Sequence, residues 1–350
     1  MGGAFLYAPG VSTRPFSKYY VTFLYTYIDL IDMETKTSDC KVSFYCTVYN
    51  EQDSISTLLD SLIAQKRPPD EIIIVDAGST DKTVDIIKKY IRKGMNINLI
   101  LAPGCNVSQG RNLAIENASH DIIASTDAGC RLDPYWLQNL LKELDDSVDI
   151  VSGISIADPE TFFEICFSDI SFPKPEDFKA NWPTQQSILF RKKVWETIRF
   201  PEYCERSEDT YFNIKANQMG FRFRLAPDAK VYWKPRKNHR EVFINSFRWT
   251  KSDIVNNVDR AKALRFGMET AFRLLILLSL LCIVILTAVA IFWLLSLPFV
   301  MLFVYKLIIR YPQEKNLHRI LMKNSISYTS ALGTLYGVIF ALFKKKKWRN

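Results

Sequence analysis

The sequence predicts an α/β protein: a mostly parallel, Rossmann-like sheet with helices on both faces, followed by apolar helices toward the C-terminus. Three observations lead there. Glu71-Ile72-Ile73-Ile74-Val75 is a β-branched run too short for a helix; it reads as a fully buried parallel strand and stops at Asp76. Residues 121–129 repeat the design, with Ile122-Ile123-Ala124-Ser125 ending just before Asp127. Residues 272–309 are almost continuously apolar, with Arg273 and Lys306 near the ends.

Taken in order, residues 42–48 form a first strand that ends at Tyr49-Asn50-Glu51. Ile55, Leu58, Leu59, Leu62 and Ile63 then share one face of a helix, which Arg67-Pro68-Pro69 closes. After the strand at 71–75, a helix beginning near Asp81 turns Val84, Ile87 and Ile91 inward and ends at Gly94. Residues 97–101 make a third strand, 107–117 a helix and 122–125 a fourth strand. Asp133-Pro134 opens a helix with Leu137, Leu140, Leu141 and Leu144 on its buried face, and 149–151 return to strand. From 159 to 183 periodicity is lost and Phe and Pro accumulate, which predicts a mobile loop region. Regular structure resumes at 187–191, followed by a helix with Val194 and Trp195 and a helix from Glu208-Asp209 that Gly220 stops. Two short strands follow at 221–225 and 230–233, then an amphipathic stretch to Arg265.

Charge divides the chain. Residues 230–350 carry 21 Lys and Arg against 5 Asp and Glu, leaving 24 against 32 in residues 1–229. The basic residues flank apolar segments, which points to an anionic membrane surface and away from nucleic acid. A single helix over 272–309 would be roughly 57 Å long against a hydrocarbon core of about 30 Å, so two spans are expected, 274–293 and 298–309, the second short, with a tilted or re-entrant segment as its alternative. Basic flanks on both sides put both ends of this hairpin in the cytoplasm. Residues 325–343 are a third apolar segment, with Thr329, Gly333, Gly337 and Ala341 as a small-residue stripe and Lys344–Lys347 behind it. It is expected to lie on the membrane or pack on the hairpin; a third span is the alternative. The seven cysteines include no CxxC pair, which excludes a zinc ribbon or disulfide framework and fits a reducing compartment. No secretory signal is read in residues 1–38. The expected organisation is an extension at 1–40, the α/β domain at 41–240, a linker at 241–271, the hairpin at 272–311 and the third segment at 312–350.

In open α/β sheets ligands bind at the carboxyl ends of strands, which makes Asp76, Asp81 and Asp127 candidate ligand-holding residues; as single features they are also ordinary turn and cap residues. Glu208-Asp209 is likewise either part of a site or a helix N-terminus with dipole-favoured acids. No G-x-G-x-x-G follows the first strand, which argues against a dinucleotide-dependent dehydrogenase.

Taken together, Tyr49-Asn50-Glu51, Val75-Asp76-Ala77-Gly78-Ser79-Thr80-Asp81, Gly110-Arg111-Asn112, Asp127-Ala128-Gly129 and Glu208-Asp209 occur in an order that resembles the motif series of family 2 glycosyltransferases with a GT-A fold, many of which carry a membrane hairpin. The resemblance spans residues 41 to 253. It implies an inverting transferase that uses a nucleotide-diphosphate sugar, normally with Mg2+ or Mn2+; the expected membrane tether adds a lipid-linked or glycan acceptor at the cytoplasmic membrane face. Carried over, it implies that Glu51 and Asp76 hold the base and ribose, that Asp81 supports the turn or touches the nucleotide, and that Arg111 lies near the diphosphate. Thr47, Tyr49 and Ser79 complete the donor side. Asp127 matches the first Asp of Asp-x-Asp and is the metal ligand. Asp209 matches the catalytic base, with Glu208 beside it, and Arg248 belongs to a basic-aromatic segment that closes on donor phosphates. Two positions depart from the pattern: Gly129 stands where the second Asp is usual, and Thr47 where Pro is frequent. Gly129 leaves the cation to Asp127, the diphosphate and water, with His239 as an extra ligand or a surface residue. It also leaves open a non-catalytic membrane scaffold that retains the fold. With only two or three apolar segments, a polymer-translocating synthase is disfavoured.

Overall fold

The computed structural model describes residues 40–181, 183–204, 206–285, 301, 304–305 and 316–343. Contacts divide the chain after Cys40, and every strand and helix named belongs to the unit from Lys41 onward. The expected N-terminal extension, most of the second half of the hairpin and the lysine tail lie outside the described residues.

Among those residues the strands are β1 (Val42–Val48), β2 (Glu71–Asp76), β3 (Ile97–Leu101), β4 (Ile122–Ser125), β5 (Cys130–Leu132), β6 (Ile150–Ala157), β7 (Ile188–Arg191) and β8 (Phe223–Trp233). The helices are α1 (Ile55–Ile63), α2 (Thr83–Arg92), α3 (Val107–Glu116), α4 (Trp136–Lys142), α5 (Phe162–Ser171), α6 (Lys192–Ile198), α7 (Glu208–Gln218), α8 (His239–Val255), α9 (Arg260–Ile285) and α10 (Leu317–Phe343). The strands form one sheet in the order β3-β2-β1-β4-β7-β6-β8-β5.

The first half is the parallel sheet the sequence predicts, with β2 and β4 flanking β1 in register Ser43↔Glu71 and Ser43↔Ile123. Ile72–Val75 are all buried, as a strand covered on both faces requires. The second half is mixed: β7 runs antiparallel to both β4 and β6, and β5 antiparallel to β8. The cause is the path of the chain. It leaves β6 at the carboxyl edge of the sheet, stays there through α5, and re-enters from the same side. The two short strands expected at 221–225 and 230–233 are one strand with an irregularity against Gly153. A Cβ on Gly153 would stand 1.9 Å from Ser187 Oγ, so only glycine fits.

The loop expected over 159–183 is largely α5. Thr161 and Glu164 form a reciprocal capping box at its start, and Phe163, Cys166, Phe167 and Ile170 pack on Val242 and Ile326. Around Tyr45, Ile123, Phe190 and Phe212 lies a core cluster that joins the parallel half to α7.

α10 packs on α8 and α9. A Cβ at Gly333 would be 2.3 Å from Phe243 O and one at Gly337 2.9 Å from Phe247 O, so the small-residue stripe serves close approach to α8. Ser246 and Ser330 hydroxyls bond at 2.7 Å, and Asp169 on α5 pairs with Arg319 at 2.8 Å and Lys323 at 2.6 Å. Among the described residues one helix segment, His318–Leu342, is long and apolar enough to cross a membrane, with a mean hydropathy of 1.3 and 22% of that window buried.

Candidate active site

The β1 and β2 ends are laced together. Asp76, the last residue of β2, is 2% exposed; its Oδ1 accepts from Gly78 N and Ser79 N, both at 3.0 Å. Its Oδ2 has no partner among the described residues. Gly78 has φ +96 and its α-carbon faces Pro103, a turn that favours glycine. Asn50, itself at φ 56, donates from N to Ser79 Oγ at 2.9 Å and accepts from Thr80 N at 2.8 Å. Asp81 accepts from Thr83 N at 2.9 Å and Gln52 N at 3.1 Å. Ser79 and Asp81 thus build the turn and, with Asp76, stand behind the cleft wall. Thr47, Tyr49 and Glu51 border the cleft itself.

That cleft has a volume of about 1440 Å³ and opens at the carboxyl edge of the sheet. The capping box of Asn106 and Gln109 starts α3, which carries Arg111 into the floor. Arg111 is 5% exposed. Its Nη1 donates to Glu208 Oε1 at 2.7 Å, its Nη2 to Asp127 Oδ1 at 3.3 Å, and its guanidinium stacks 5.4 Å from the Phe200 ring centroid. Burial works against its charge, but Glu208, Tyr45 and Asp127 outweigh it and hold its pKa above the ordinary value. Asp127 follows β4 and keeps 41% of its side-chain surface open to the cleft. Its position deep in the cleft raises its carboxyl, opposed by Arg111 and reinforced by Asp209. Burial likewise raises Glu51, against a hydrogen bond from Ser54.

Glu208 and Asp209 open α7 after Ser207, which holds φ 66. Glu208 is 6% exposed and engaged by Arg111; Asp209 is half-buried, borders the cleft and accepts from Thr210 N at 2.7 Å. Of the residues expected from sequence, the fold therefore gathers Thr47, Tyr49, Glu51, Arg111, Asp127, Glu208 and Asp209 at one cleft. Arg248 differs: it lies on the exposed side of α8 and does not border the cleft, whereas Trp249 does. His239 is also elsewhere, bonded to Ser325 Oγ at 2.9 Å and packed edge-on to Phe163.

Sequence reasoning missed four cations that border the cleft, Arg206, Lys234, Arg236 and Lys237. Arg236 lies 5.2 Å over the Trp233 ring; burial, then the charge of Arg206, lowers its pKa. The run Lys234-Pro235-Arg236-Lys237 at the end of β8 was the available signal. Among the described residues no group of three or more His, Cys, Asp and Glu is placed to hold a metal ion. A Cβ at Gly129, where a second carboxylate would stand, would lie 3.8 Å from the Trp233 indole nitrogen.

The family model "Glycosyl transferase family 2" matches residues 43–223. The chain is 26% identical over 222 residues to Glycosyltransferase AglE of Haloferax volcanii, covering 61% of this chain and 73% of that protein. It is 26% identical over 238 residues to a poly(ribitol-phosphate) beta-glucosyltransferase of Bacillus spizizenii, where it spans only 37% of the relative. A mannosyltransferase from Pyrobaculum calidifontis, solved with GDP-Man and Mn2+, shares the fold at a TM-score of 0.54 and 18% identity, covering 94% of this chain and 98% of that one. With the family match running from the strand before Glu51 through the helix of Asp209, the chain belongs to glycosyl transferase family 2 and has the GT-A fold of a glycosyltransferase.

Proposed function

We propose that the protein transfers a sugar, with inversion, from a nucleotide-diphosphate sugar to a lipid-linked or glycan acceptor at the cytoplasmic face of a membrane. The observation that carries this reading is the meeting of two halves in one cleft: Glu51, Arg111 and Asp127 from the strand ends, and an open carboxylate, Asp209, from α7. In the proposal Thr47, Tyr49 and Glu51 receive the nucleotide, with Asp76, Ser79 and Asp81 fixing the turn beneath it. Arg206 and Arg236 add positive charge near the departing diphosphate, whose growing negative charge must be offset in the transition state.

The residues fit a divalent cation only as one shared with the ligand. Asp127 offers one carboxylate that opens to the cleft, and Mg2+ is commonly held by one or two carboxylates with substrate phosphates. When bound, such a cation supplies Lewis-acid stabilisation of the leaving diphosphate. Asp209 takes the proton of the acceptor hydroxyl as that oxygen attacks, and inversion requires a single base opposite the leaving group. Glu208 keeps Arg111 oriented.

The membrane part of the proposal rests on α10. Its inner face docks on α8, which borders the cleft, while Leu321, Leu332, Tyr336, Ile339 and Leu342 stay exposed. Basic residues flank the apolar segments. An acceptor anchored in lipid would then arrive beside the cleft.

Calorimetry with UDP- and GDP-sugars, with and without Mn2+, tests the donor assignment, and the anomeric configuration of the product tests inversion. Absence of any binding to nucleoside diphosphates or their sugars would refute the donor site. Flotation with anionic vesicles tests the membrane part separately.

A further inference from the structure

Residues 183–187 lead into β7 and bridge the two halves of the cleft. Thr126 Oγ1 donates to Gln186 O at 2.6 Å, on the side of Asp127. Asn213 Nδ2 of α7 donates to Pro183 O at 2.7 Å, on the side of Glu208 and Asp209. Thr184 and Gln185 both border the cleft between these anchors. Gln185 is 3% exposed. The Tyr45 hydroxyl donates to its Oε1 at 3.4 Å, and burial lifts the Tyr45 pKa to about 12, so the phenol stays a donor. That bond orients the amide and leaves Nε2 as a donor. Neither Gln185 Nε2 nor Thr184 Oγ1 has a partner among the described residues. Unpaired buried polar groups cost free energy, and two in sequence at the wall of a ligand cleft call for a ligand that pairs them.

We propose that Gln185 and Thr184 read the transferred sugar, hydrogen-bonding its hydroxyl or acetamido oxygens. The inference rests on the donor-site reading of the cleft. In an in-line displacement the sugar lies between the leaving diphosphate and the base, which is the stretch of wall that 183–187 provides. A nucleoside diphosphate without the sugar reaches neither side chain. A site built around such bonds discriminates against donors that place no oxygen there.

The test is calorimetry on the full chain with UDP, GDP, UDP-glucose, UDP-N-acetylglucosamine and GDP-mannose, using wild type, Gln185→Leu and Thr184→Val. Thr184→Val is nearly isosteric and keeps the test alive if Gln185→Leu does not fold. The expected result is unchanged affinity for the nucleoside diphosphates, about tenfold weaker binding of the preferred nucleotide sugar, and weaker discrimination among the sugars. Thr184→Ser restores the wild-type ratio. If wild type binds no nucleotide, the donor-site reading fails and takes this inference with it. If wild type binds a nucleotide sugar and the variants keep its affinity ratio to the nucleoside diphosphate, the donor site stands and the inference is overturned.

Discussion

Arg111 Nη1 reaches Glu208 Oε1 at 2.7 Å, with side chains only 6% and 7% exposed, while the neighbouring Asp209 keeps its carboxylate at the cleft. Two adjacent acids therefore have different chemistry open to them. A carboxylate engaged by a buried guanidinium is oriented and unavailable to an incoming hydroxyl. Asp209 carries no such ion pair among the described residues, and its Oδ1 accepts only local bonds from Thr210.

Asp209→Asn keeps shape and removes basicity. Turnover is expected to fall by about 10²-fold or more, the usual scale for loss of a general base, with donor affinity little changed. Glu208→Gln still offers Arg111 an oxygen and should cost less. Near wild-type turnover in Asp209→Asn together with an inactive Glu208→Gln would reverse the roles. Activity in both would move the base elsewhere.

Arg111→Met tests the same pair from the other side. It leaves Glu208 buried without its cation, which costs about 3 kcal/mol by the precedent of broken buried pairs. The double variant Arg111→Met/Glu208→Met should recover part of that loss, because no buried carboxylate is left at position 208; Asp127 also loses Arg111, but its side chain is 41% exposed and stays solvated. Urea denaturation of the three proteins decides it. A double variant less stable than the sum of the single losses would mean that the site needs the charges for folding.

The parallel half of the sheet and its strand-end acids were legible because a fully buried strand needs an unbroken apolar run, as in Ile72–Val75. The direction of β7 was not, since its four residues do not encode from which edge the chain re-enters. α5 had a readable signal in Thr161 and Glu164, three apart, and in the spacing of Phe163, Cys166, Phe167 and Ile170; the surrounding Pro and Phe obscured it. Arg206 and Arg236 belong together only in three dimensions. The stripe on α10 is legible in sequence as a close-packing face, and only the structure identifies α8 as the partner of its glycines.

Asp76 holds the turn whose Ala77 and Gly78 border the cleft. Asp76→Ala removes the acceptor for Gly78 N and Ser79 N and should cost about 1–2 kcal/mol in addition to donor affinity. Asp76→Asn keeps the Oδ1 acceptor and changes only the unpartnered side. It is expected to fold like wild type and to bind UDP or GDP more weakly by calorimetry. Unchanged affinity in Asp76→Asn would remove this residue from the donor site.

Gly333→Ala puts a methyl 2.3 Å from Phe243 O, a backbone atom that moves only with α8. Overpacking of this kind costs about 1–3 kcal/mol. Hydrogen exchange along α8 should speed up in the variant. Because Val242, Asn245, Ser246 and Trp249 of α8 border the cleft, turnover should fall with it. Unchanged exchange on α8 would show that the two helices are not packed this tightly in solution.

Asp253 near the C-terminal end of α8 gives the protein an acid-side stability gradient. Burial raises its pKa from 3.8 to about 6, a Ser207 hydrogen bond opposing and Asp259 and Asp209 adding, and its Oδ1 has no partner among the described residues. A carboxyl whose folded pKa exceeds its unfolded value binds more protons in the native state between those two values. Its contribution to stability is therefore fullest below about pH 4, declines as pH rises toward 6, and is flat above. Asp253→Asn is neutral at every pH. Its urea midpoint should match wild type near pH 4 and exceed it increasingly up to about pH 6. The Ser207 segment just before Asp209 is held to this end of α8 by Ser252 Oγ, which donates to Arg206 O at 2.5 Å, so the variant reports on that junction without touching the base. A midpoint difference that is constant from pH 4 to pH 7 would mean that Asp253 is solvated in the folded protein and that α8 does not seal this corner of the cleft.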